Sequence, residues 1–233
     1  MLEVAGLDAR YGRAHILHEV GFEVGAGEVL VLLGRNGAGK STTLKSLIGL
    51  VRPAGGRIRF GGAEIAGWEP YRIARAGLGY VPEERRIFAD LTVMENLEVG
   101  RQPARTGRAP WTPERLFRLF PNLGPLRDRP GGRMSGGEQQ MLTIARTLMG
   151  NPSLILLDEP SEGLAPVIVE QMARAILALK GEGVTILLAE QNLRFAGRVG
   201  DRAVVLESGR VAWRGTMRAL LEDEGARRAL LAV

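Results

Sequence analysis

The sequence contains no cysteine, only two histidines, few aromatic residues and no long apolar run. The absence of cysteine excludes disulfide bonds and metal sites built from thiolates, and it fits the reducing cytosol. No apolar run approaches the roughly 18–20 residues that are needed to cross a bilayer; the stretch from Val29 to Leu33 is typical in length. The chain begins Met1-Leu2-Glu3, without a basic segment or a cleavage site, so we expect no signal peptide.

The composition is ordinary for a folded protein apart from its basic charge. A chain of 233 residues can bury roughly 70 % of its unfolded surface, as one compact unit or two intimate ones. The formal net charge of +5 and the isoelectric point near 10.2 suggest nucleic acid or anionic lipid headgroups as partners. However, the arginines are scattered rather than clustered, which favours an ordinary solvated surface.

Segments typical of strands alternate with segments typical of helices. The first stretch, 2–24, has short β-like pieces and hairpin-like turns. Further strands are predicted near 28–33, 78–81, 154–157, 184–188 and 203–206, helices near 40–50 and 167–180, and an amphipathic helical tail over 217–233. The stretch 83–150 is mostly helical and rich in arginine, with breaks at 107–113 and 121–130. We therefore predict an α/β core formed by residues 1–82 and 151–233, with a helical domain inserted at 83–150.

The first chemical motif is Gly34-Arg35-Asn36-Gly37-Ala38-Gly39-Lys40-Ser41, which satisfies the pattern G-x-x-x-x-G-K-[ST] of a phosphate-binding loop. It follows a buried strand and opens a helix, as the pattern requires. The glycines let backbone N–H groups converge on phosphate oxygens, and the helix N-terminus adds partial positive charge. Lys40 would neutralise the β- and γ-phosphates of a nucleotide, and the Ser41 hydroxyl would ligate Mg²⁺. A glycine-rich turn without a ligand is the disfavoured alternative.

The second motif places two carboxylates directly after the buried strand Leu154–Leu157. In α/β sheets ligands bind at the carboxyl ends of the strands, so these side chains should emerge beside the phosphate-binding loop. Asp158 would hold Mg²⁺ through water, and Glu159 would polarise the attacking water as a general base. The two motifs together predict a nucleotide hydrolase.

The third motif, Met134-Ser135-Gly136-Gly137-Glu138-Gln139-Gln140, closely resembles the LSGGQ signature of ABC ATPases, and 19 residues separate its Glu138 from Asp158, as in that family. A serine and two glycines ahead of a helix form a second anion-binding turn. The resemblance extends over essentially the whole chain. It implies an ABC-type nucleotide-binding domain: a P-loop core on a mostly parallel sheet, an N-terminal antiparallel β subdomain and a helical signature subdomain. It also implies a head-to-tail dimer, in which each ATP lies between one chain's P-loop and the other chain's signature.

Several positions depart together from the common ABC pattern. Glu83 stands where most members have the glutamine of the Q-loop, Ala165 where many have the aspartate of the D-loop, and Gln191 where most have a histidine that contacts the γ-phosphate. The segments VPEERRIFADLTVMENL, DEPSEGLAP and AEQN are similar to VPEGRRIFPxLTVxENL, DEPSLGLAP and VEQN of ATPases from branched-chain amino acid importers. The resemblance implies such an ATPase. Importers of urea, short amides or other hydrophobic amino acids share these motifs.

The replaced histidine and glutamine raise two hypotheses. Gln191 can donate an amide hydrogen bond but cannot carry charge, so we expect it to sense the γ-phosphate with reduced catalytic power; the alternative is that it only completes a network at the strand end. A carboxylate at position 83 would be repelled by a triphosphate unless it lies near Mg²⁺ or pairs with Arg85 or Arg86. We favour the position near the metal.

The resemblance and the motifs together give the expected site, with ATP as the substrate and Mg²⁺ as the cofactor. Catalysis is expected from Glu159, Gln191 and Lys40, and Mg²⁺ ligation from Ser41, Asp158 and Glu83. The expected ATP-binding residues are Tyr11, which matches the family's adenine-stacking aromatic, Gly34, Asn36, Gly37, Ala38, Gly39, Lys40, Ser41, Thr42 and Glu83. The expected signature residues, acting on the ATP of the partner chain, are Ser135, Gly136, Gly137 and Glu138.

Partners follow from the same resemblance. We expect transmembrane permease subunits, a second ABC ATPase subunit in a heterodimer or a homodimer, and, indirectly, a periplasmic or extracellular solute-binding protein. The chain would then lie peripherally at the cytoplasmic face of the cell (inner) membrane. The permease is expected to insert a short helix beside a surface that mixes charged and apolar side chains: Arg85, Arg86, Ile87, Phe88 and Leu91. Helix capping and core packing explain Phe88 and Leu91 equally well.

A soluble ABC ATPase that acts on DNA or ribosomes is the main alternative from another class. Such proteins usually carry a long coiled-coil insertion or two cassettes in one chain. Here only 94 residues separate Lys40 from Ser135, without a heptad run, and the sequence holds one P-loop. We therefore expect no nucleic-acid partner. The proline-rich segment Gly107–Glu114 is predicted to be a surface loop in which Trp111 is packed rather than functional.

Overall fold

A computed structural model describes residues 1–105 and 109–231 of the chain. Its central sheet has six strands in the order β10-β9-β3-β8-β7-β6, and all neighbouring pairs are parallel except β10 with β9. The strands of this sheet are β3 (Val29–Leu33), β6 (Leu78–Val81), β7 (Leu154–Asp158), β8 (Thr185–Glu190), β9 (Arg202–Glu207) and β10 (Arg210–Thr216). The mostly parallel sheet that the sequence predicts is confirmed.

The central strands are apolar throughout because both faces of the sheet are covered. In β3, Val29, Val31 and Leu33 belong to one hydrophobic core, whereas Leu30 and Leu32 belong to a second core on the other face. Alternate residues of a strand point to opposite faces, so a strand that is buried on both sides needs an uninterrupted apolar run. The first core also contains the helical region, and the second contains the N-terminal sheet.

The N-terminal sheet is antiparallel and has four strands in the order β2-β1-β4-β5. Its strands are β1 (Leu2–Tyr11), β2 (Ala14–Val24), β4 (Gly55–Phe60) and β5 (Ala63–Glu64). The sequence predicts only short pieces in the first of these segments, whereas the structure has two long strands with register irregularities. Strands β4, β5 and β10 are not predicted, because they are polar or glycine-containing and lack an apolar run.

Nine α-helices surround the sheets within the described residues: α1 (Lys40–Leu47), α2 (Pro70–Ala76), α3 (Val93–Gly100), α4 (Pro113–Leu119), α5 (Gly136–Leu148), α6 (Pro166–Gly181), α7 (Leu193–Val199), α8 (Met217–Glu222) and α9 (Glu224–Leu231). The sequence does not predict α2 or α7. It predicts one helical tail, but the structure breaks that tail at Asp223, whose carboxylate accepts a hydrogen bond from the Ala226 N–H (2.8 Å). None of these helices combines the length and apolar character that crossing a membrane requires.

The region 83–150 contains α3, α4, α5 and two short 3₁₀ helices, Pro121–Leu126 and Gly131–Arg133. Trp111 is 7 % exposed and packs in the first core, as predicted. Of the predicted loop Gly107–Glu114, Gly107 and Arg108 lie outside the described residues, and helix α4 takes up the last two. The domain boundaries at 82/83 and 150/151 stay a prediction.

Candidate functional site

Three parallel strands end side by side and bring the sequence motifs to one edge of the sheet. Leu33 of β3 pairs with Glu190 of β8, and Ala189 of β8 pairs with Asp158 of β7. The loop that starts at Gly34 therefore leaves the sheet beside the two carboxylates that end β7 and β8. This edge is where open α/β sheets bind ligands.

The phosphate-binding loop turns into α1 at Gly39, whose φ of +107° lies in the region that glycine adopts without strain. A Cβ at this position would come within 2.7 Å of a methyl group of Leu17, so no larger residue fits without movement. Lys40 is 3 % exposed, and its Nζ donates to the carbonyl oxygens of Gly34 (2.8 Å) and Arg35 (3.2 Å). The loop thus presents a buried ammonium group and a helix N-terminus to the same side, an arrangement suited to phosphate.

Asp158 accepts hydrogen bonds on both carboxylate oxygens. The Ser41 hydroxyl donates to Oδ1 (2.9 Å), and the Tyr80 hydroxyl donates to Oδ2 (3.0 Å). Burial raises the pKa of Asp158, and the bonds from Ser41 and Tyr80 oppose that increase. A hydroxyl and a carboxylate within hydrogen-bond distance form a donor set that suits Mg²⁺, which P-loop sites hold with one or two carboxylates plus substrate phosphates. Among the described residues, no group of three or more histidine, cysteine, aspartate or glutamate side chains could hold a metal ion.

Glu159 combines burial with an unusual backbone conformation. It is 9 % exposed and has a φ of +46°, which is uncommon for a residue with a side chain. Its N–H donates to the Ala189 carbonyl (2.9 Å), and its Oε1 lies 3.1 Å from Lys40 Nζ. Such strain persists only where the surroundings impose it, and it is concentrated at functional sites. The structure thus brings Lys40, Ser41, Asp158 and Glu159 together, as the sequence predicts.

Two further carboxylates near Glu159 are not assigned by the sequence motifs. Glu190 is 2 % exposed, and it accepts hydrogen bonds from the backbone N–H groups of Ser161 (3.2 Å), Gln191 (3.0 Å) and Asn192 (3.0 Å). Burial raises the pKa of Glu190, and these bonds oppose the increase. A hydrogen bond with Glu159, then burial and the nearby negative charges, raise the pKa of Glu162 to about 7. The sequence could have indicated this acidic group through Glu162, which lies in the segment DEPSEGLAP at the end of β7.

Two of the three departures from the family pattern, Gln191 and Glu83, occupy exposed positions at the same edge. Gln191 follows β8, between the strands that carry the phosphate-binding loop and Asp158. In the network at this strand end, Glu190 accepts from the Gln191 backbone N–H, and no hydrogen bond within the described residues involves the Gln191 amide side chain. Within the described residues Glu83 forms no ion pair with Arg85 or Arg86; Arg86 lies 3.6 Å from Glu84 instead.

Tyr11 lies at the tip of the hairpin between β1 and β2 and is 49 % exposed. The turn before β10 ties this hairpin to the phosphate-binding loop: the His18 N–H donates to the Gly209 carbonyl (2.8 Å), and the Gly209 N–H donates to the Ala38 carbonyl (3.0 Å). An exposed aromatic ring held near the loop in this way can stack on a nucleotide base. The sequence motif did not reveal the role of Gly209.

The signature residues form the N-terminus of α5. Ser135 caps the helix: its hydroxyl accepts from the Glu138 N–H (3.4 Å), and its own N–H donates to the Glu138 carboxylate (2.7 Å). A Cβ on Gly136 would come within 2.7 Å of the Arg85 guanidinium, and a Cβ on Gly137 within 2.8 Å of Ile168. No hydrogen bond or ion pair in the described part of the chain joins this turn to Lys40 or Asp158. The two turns that the sequence predicts to bind anions are therefore separate within one chain.

A groove of about 630 Å³ separates the core from the helical region. Leu50 on the core side and Phe88 and Val99 on the helical side are about half exposed in it. The docking surface expected from the sequence is corrected in part: of its five residues, Phe88 lines the groove, whereas Ile87 packs against the first core. Half of the described large apolar side chains that are exposed line this groove, which identifies an interaction surface.

Comparison with known proteins gives one consistent family. A family model described as ABC transporter matches residues 17–162. The chain is 45 % identical to the high-affinity branched-chain amino acid transport ATP-binding protein BraG of Pseudomonas aeruginosa, over 99 % of both chains. It is 37 % identical to the probable branched-chain amino acid transport ATP-binding protein LivF of Archaeoglobus fulgidus, over 96 % of this chain and 95 % of that protein.

Other relatives differ in what they transport. The lipopolysaccharide export system ATP-binding protein LptB of Haemophilus influenzae is 35 % identical over 99 % of this chain and 97 % of that protein. Among solved structures, an ATP-binding subunit of an ABC transporter has a TM-score of 0.83 at 33 % identity and covers 100 % of this chain and 96 % of its own. The ADP conformation of the ATP-binding cassette MJ1267 has a TM-score of 0.82 at 27 % identity, covering 97 % and 96 %.

Proposed function

The chain belongs to the ABC transporter family of ATP-binding proteins, and from this premise we propose that it hydrolyses ATP for an importer of branched-chain, hydrophobic amino acids. Members of this family are ATPases that couple hydrolysis to transport. The observation that carries the assignment of the solute is the 45 % identity to BraG over 99 % of both chains. Transport of the same class of solute by LivF supports it.

Each of the predicted site residues would act on a different part of the bound nucleotide or on its Mg²⁺. The turn formed by Gly34, Asn36, Gly37, Ala38 and Gly39, continued by Thr42, supplies backbone N–H groups to the phosphates, and Tyr11 stacks on the adenine. Lys40 neutralises the β- and γ-phosphates, and Ser41 and Asp158 hold Mg²⁺, with Glu83 near it. The cation stabilises negative charge that develops on the transferred phosphoryl group.

Hydrolysis requires an oriented water, and Glu159 is the general base. Its backbone is fixed by the bond to Ala189, and its carboxylate lies beside Lys40. Gln191 contacts the γ-phosphate through its amide, in place of the histidine of most relatives. An amide can donate a hydrogen bond to the developing charge but cannot exchange a proton near neutral pH. We therefore expect slow turnover from this chain alone.

The second anion-binding turn acts on a second ATPase subunit. Ser135, Gly136, Gly137 and Glu138 would close over an ATP that is held by the partner's P-loop, and hydrolysis would reopen the dimer. The groove at Leu50, Phe88 and Val99 would take a short, mainly apolar helix of a permease subunit, because a wholly polar segment would leave these side chains without apolar partners. In such a complex the chain would lie peripherally at the cytoplasmic face of the cell membrane, and a solute-binding protein would act indirectly.

Uptake experiments test the proposed solute. The chain is expressed in P. aeruginosa that lacks BraG, and uptake of radiolabelled leucine is measured, with Glu159→Gln as the inactive control. We expect uptake to be restored by the chain and not by the variant. Restoration of urea or short-amide uptake in a strain lacking that importer's ATPase, without leucine uptake, would contradict the assignment.

The 35 % identity to LptB raises lipopolysaccharide export as a second candidate. The chain is therefore also expressed in Escherichia coli depleted of LptB, where rescue of growth would identify an exporter subunit. Binding of the purified chain to DNA at low and high salt tests the nucleic-acid alternative, for which affinity should fall steeply with salt. We expect neither rescue nor specific binding.

A further inference from the structure

Tyr80 belongs to the groove and to the nucleotide site at the same time. Its ring lines the groove between the core and the helical region, together with the exposed Phe88 and Val99. Its position in β6 is fixed by pairing with Leu156 of β7, two residues before Asp158. From there its hydroxyl reaches the Asp158 carboxylate, 3.0 Å away. A single side chain thus spans the distance between a surface for a partner protein and the carboxylate for the cation.

The hydrogen bond has a defined direction. The Tyr80 hydroxyl carries the proton and the carboxylate oxygen can only accept, so Tyr80 donates to Oδ2 of Asp158. Asp158 is 1 % exposed, and a hydrogen bond from a hydroxyl group to a carboxylate oxygen is charge-assisted and therefore strong. The other carboxylate oxygen is held by Ser41. Tyr80 therefore determines which way the second oxygen of Asp158 faces.

Position 83, just after β6, is where most ABC ATPases have the glutamine of the Q-loop. Glu83 replaces the Q-loop glutamine, and its side chain forms no hydrogen bond or ion pair with the residues that the structure describes. Tyr80 lies on the preceding strand, only three residues away, and does make a direct contact with the cation-binding carboxylate. The geometry thus supplies a connection between groove and site that does not depend on residue 83.

We propose that Tyr80 is a positioning residue for Asp158, and that a helix seated in the groove changes Mg²⁺ binding at the nucleotide site by moving the Tyr80 ring. The proposal rests on the proposed function, because it takes the groove occupant to be an apolar helix of a permease subunit. It makes Tyr80 a determinant of cation affinity rather than of nucleotide affinity. It also predicts that filling the groove by other means has the same effect.

The first test compares Tyr80→Phe with Tyr71→Phe, a tyrosine of the same groove that is 60 % exposed. Binding of a fluorescent ATP analogue to the purified chain is titrated with Mg²⁺ and repeated in EDTA. Loss of a hydrogen bond to a charged group should raise the half-saturating Mg²⁺ concentration roughly tenfold in Tyr80→Phe. Binding in EDTA and the thermal unfolding midpoint should stay close to those of Tyr71→Phe. Equal Mg²⁺ dependence of the two variants would overturn the proposal.

The second test fills the groove covalently. Because the sequence has no cysteine, Val99→Cys can be labelled at one position with N-phenylmaleimide, and Leu177→Cys, exposed on α6 and outside the groove, is the matched control. Labelling at 99 should raise the half-saturating Mg²⁺ concentration about fivefold, as expected of a coupling between two sites. The effect should be absent for the label at 177 and should disappear in combination with Tyr80→Phe. An effect of the label at 99 that persists without the hydroxyl, or no effect at all, would contradict the proposal.

Failure of the proposed function has a different signature. A wild-type chain that binds the ATP analogue without any Mg²⁺ dependence, or does not bind it, would refute the assignment of the nucleotide site before any variant is compared. A wild-type chain with normal Mg²⁺-dependent binding, together with an unaffected Tyr80→Phe, would refute the role of Tyr80 alone.

Discussion

Replacing Gly209 by alanine should destabilise the chain and separate the Tyr11 hairpin from the phosphate-binding loop. Gly209 has a φ of +75°, and an added Cβ would lie 1.9 Å from the carbonyl oxygen of Ile16. The left-handed backbone costs a residue with a side chain about 1–2 kcal/mol. The collision with backbone adds roughly 1–3 kcal/mol, and weakening of the two hydrogen bonds at Gly209 adds about 1 kcal/mol each.

These terms predict a loss of about 4–7 kcal/mol in the free energy of unfolding, which for a chain of this length lowers the thermal midpoint by roughly 8–28 °C. Gly62→Ala is the matched control, because Gly62 has a φ of +86° but open space around its Cβ position. The free energy of unfolding of Gly62→Ala should fall only by the cost of the left-handed backbone, about 1–2 kcal/mol. Thermal and urea unfolding of both variants measure the difference. A Gly209→Ala chain as stable as Gly62→Ala would refute the reasoning, since the collision and the lost bonds would then have no cost.

Three further predictions concern the site itself. The pKa of Glu162 is raised from 4.5 to about 7, so the folded chain binds more protons than the unfolded chain in this interval and its stability falls as the pH rises through it. Glu162→Gln should remove that fall, and thermal midpoints measured from pH 5 to pH 8 should diverge between variant and wild type; parallel curves would contradict the shift. Gln191→Ala should lower steady-state ATP hydrolysis, by up to about 10²–10³-fold if the amide is a full transition-state donor. Gln191→His should raise hydrolysis, whereas an alanine variant with unchanged turnover would exclude contact with the γ-phosphate. Tyr11→Ala should weaken ATP binding roughly 5–100-fold through lost base stacking, while Tyr71→Ala, which removes another exposed ring, in the groove, should not; equal affinities, measured by fluorescence titration, would place the adenine elsewhere.

Local motifs made most of the site predictable. The phosphate-binding loop, the carboxylates after β7 and the cap of α5 each depend on a few consecutive residues whose types suit one backbone geometry. The sequence predicts that Lys40 and Glu159 lie close together, because both follow apolar strands of one parallel sheet and the carboxyl ends of such strands meet at a single edge. Their separation of 3.1 Å agrees with that expectation.

Strands at the edges of the sheets were harder to predict. The strand β10 alternates exposed and half-buried residues and pairs with one neighbour, so its sequence has no uninterrupted apolar run. The strand β4 has two paired neighbours, β1 and β5, but one face of it is open: only Ile58 and Phe60 are buried, and its two glycines and two arginines hide the apolar pattern. Apolar patterns reveal strands that are covered on both faces, whereas strands with an open face or edge depend on partners far away in the sequence.

The sequence by itself was sufficient to predict the chemistry, namely a nucleotide-binding loop, a cation-binding aspartate, a general base and a second anion-binding turn, because each prediction depends on neighbouring residues. Only the tertiary structure decided the connections among them. Tyr80 and Asp158 are 78 positions apart, and their contact depends on the order and register of β6 and β7. Gly209 meets the phosphate-binding loop across an even longer separation. Such contacts follow from the packing of whole elements, which short patterns do not specify.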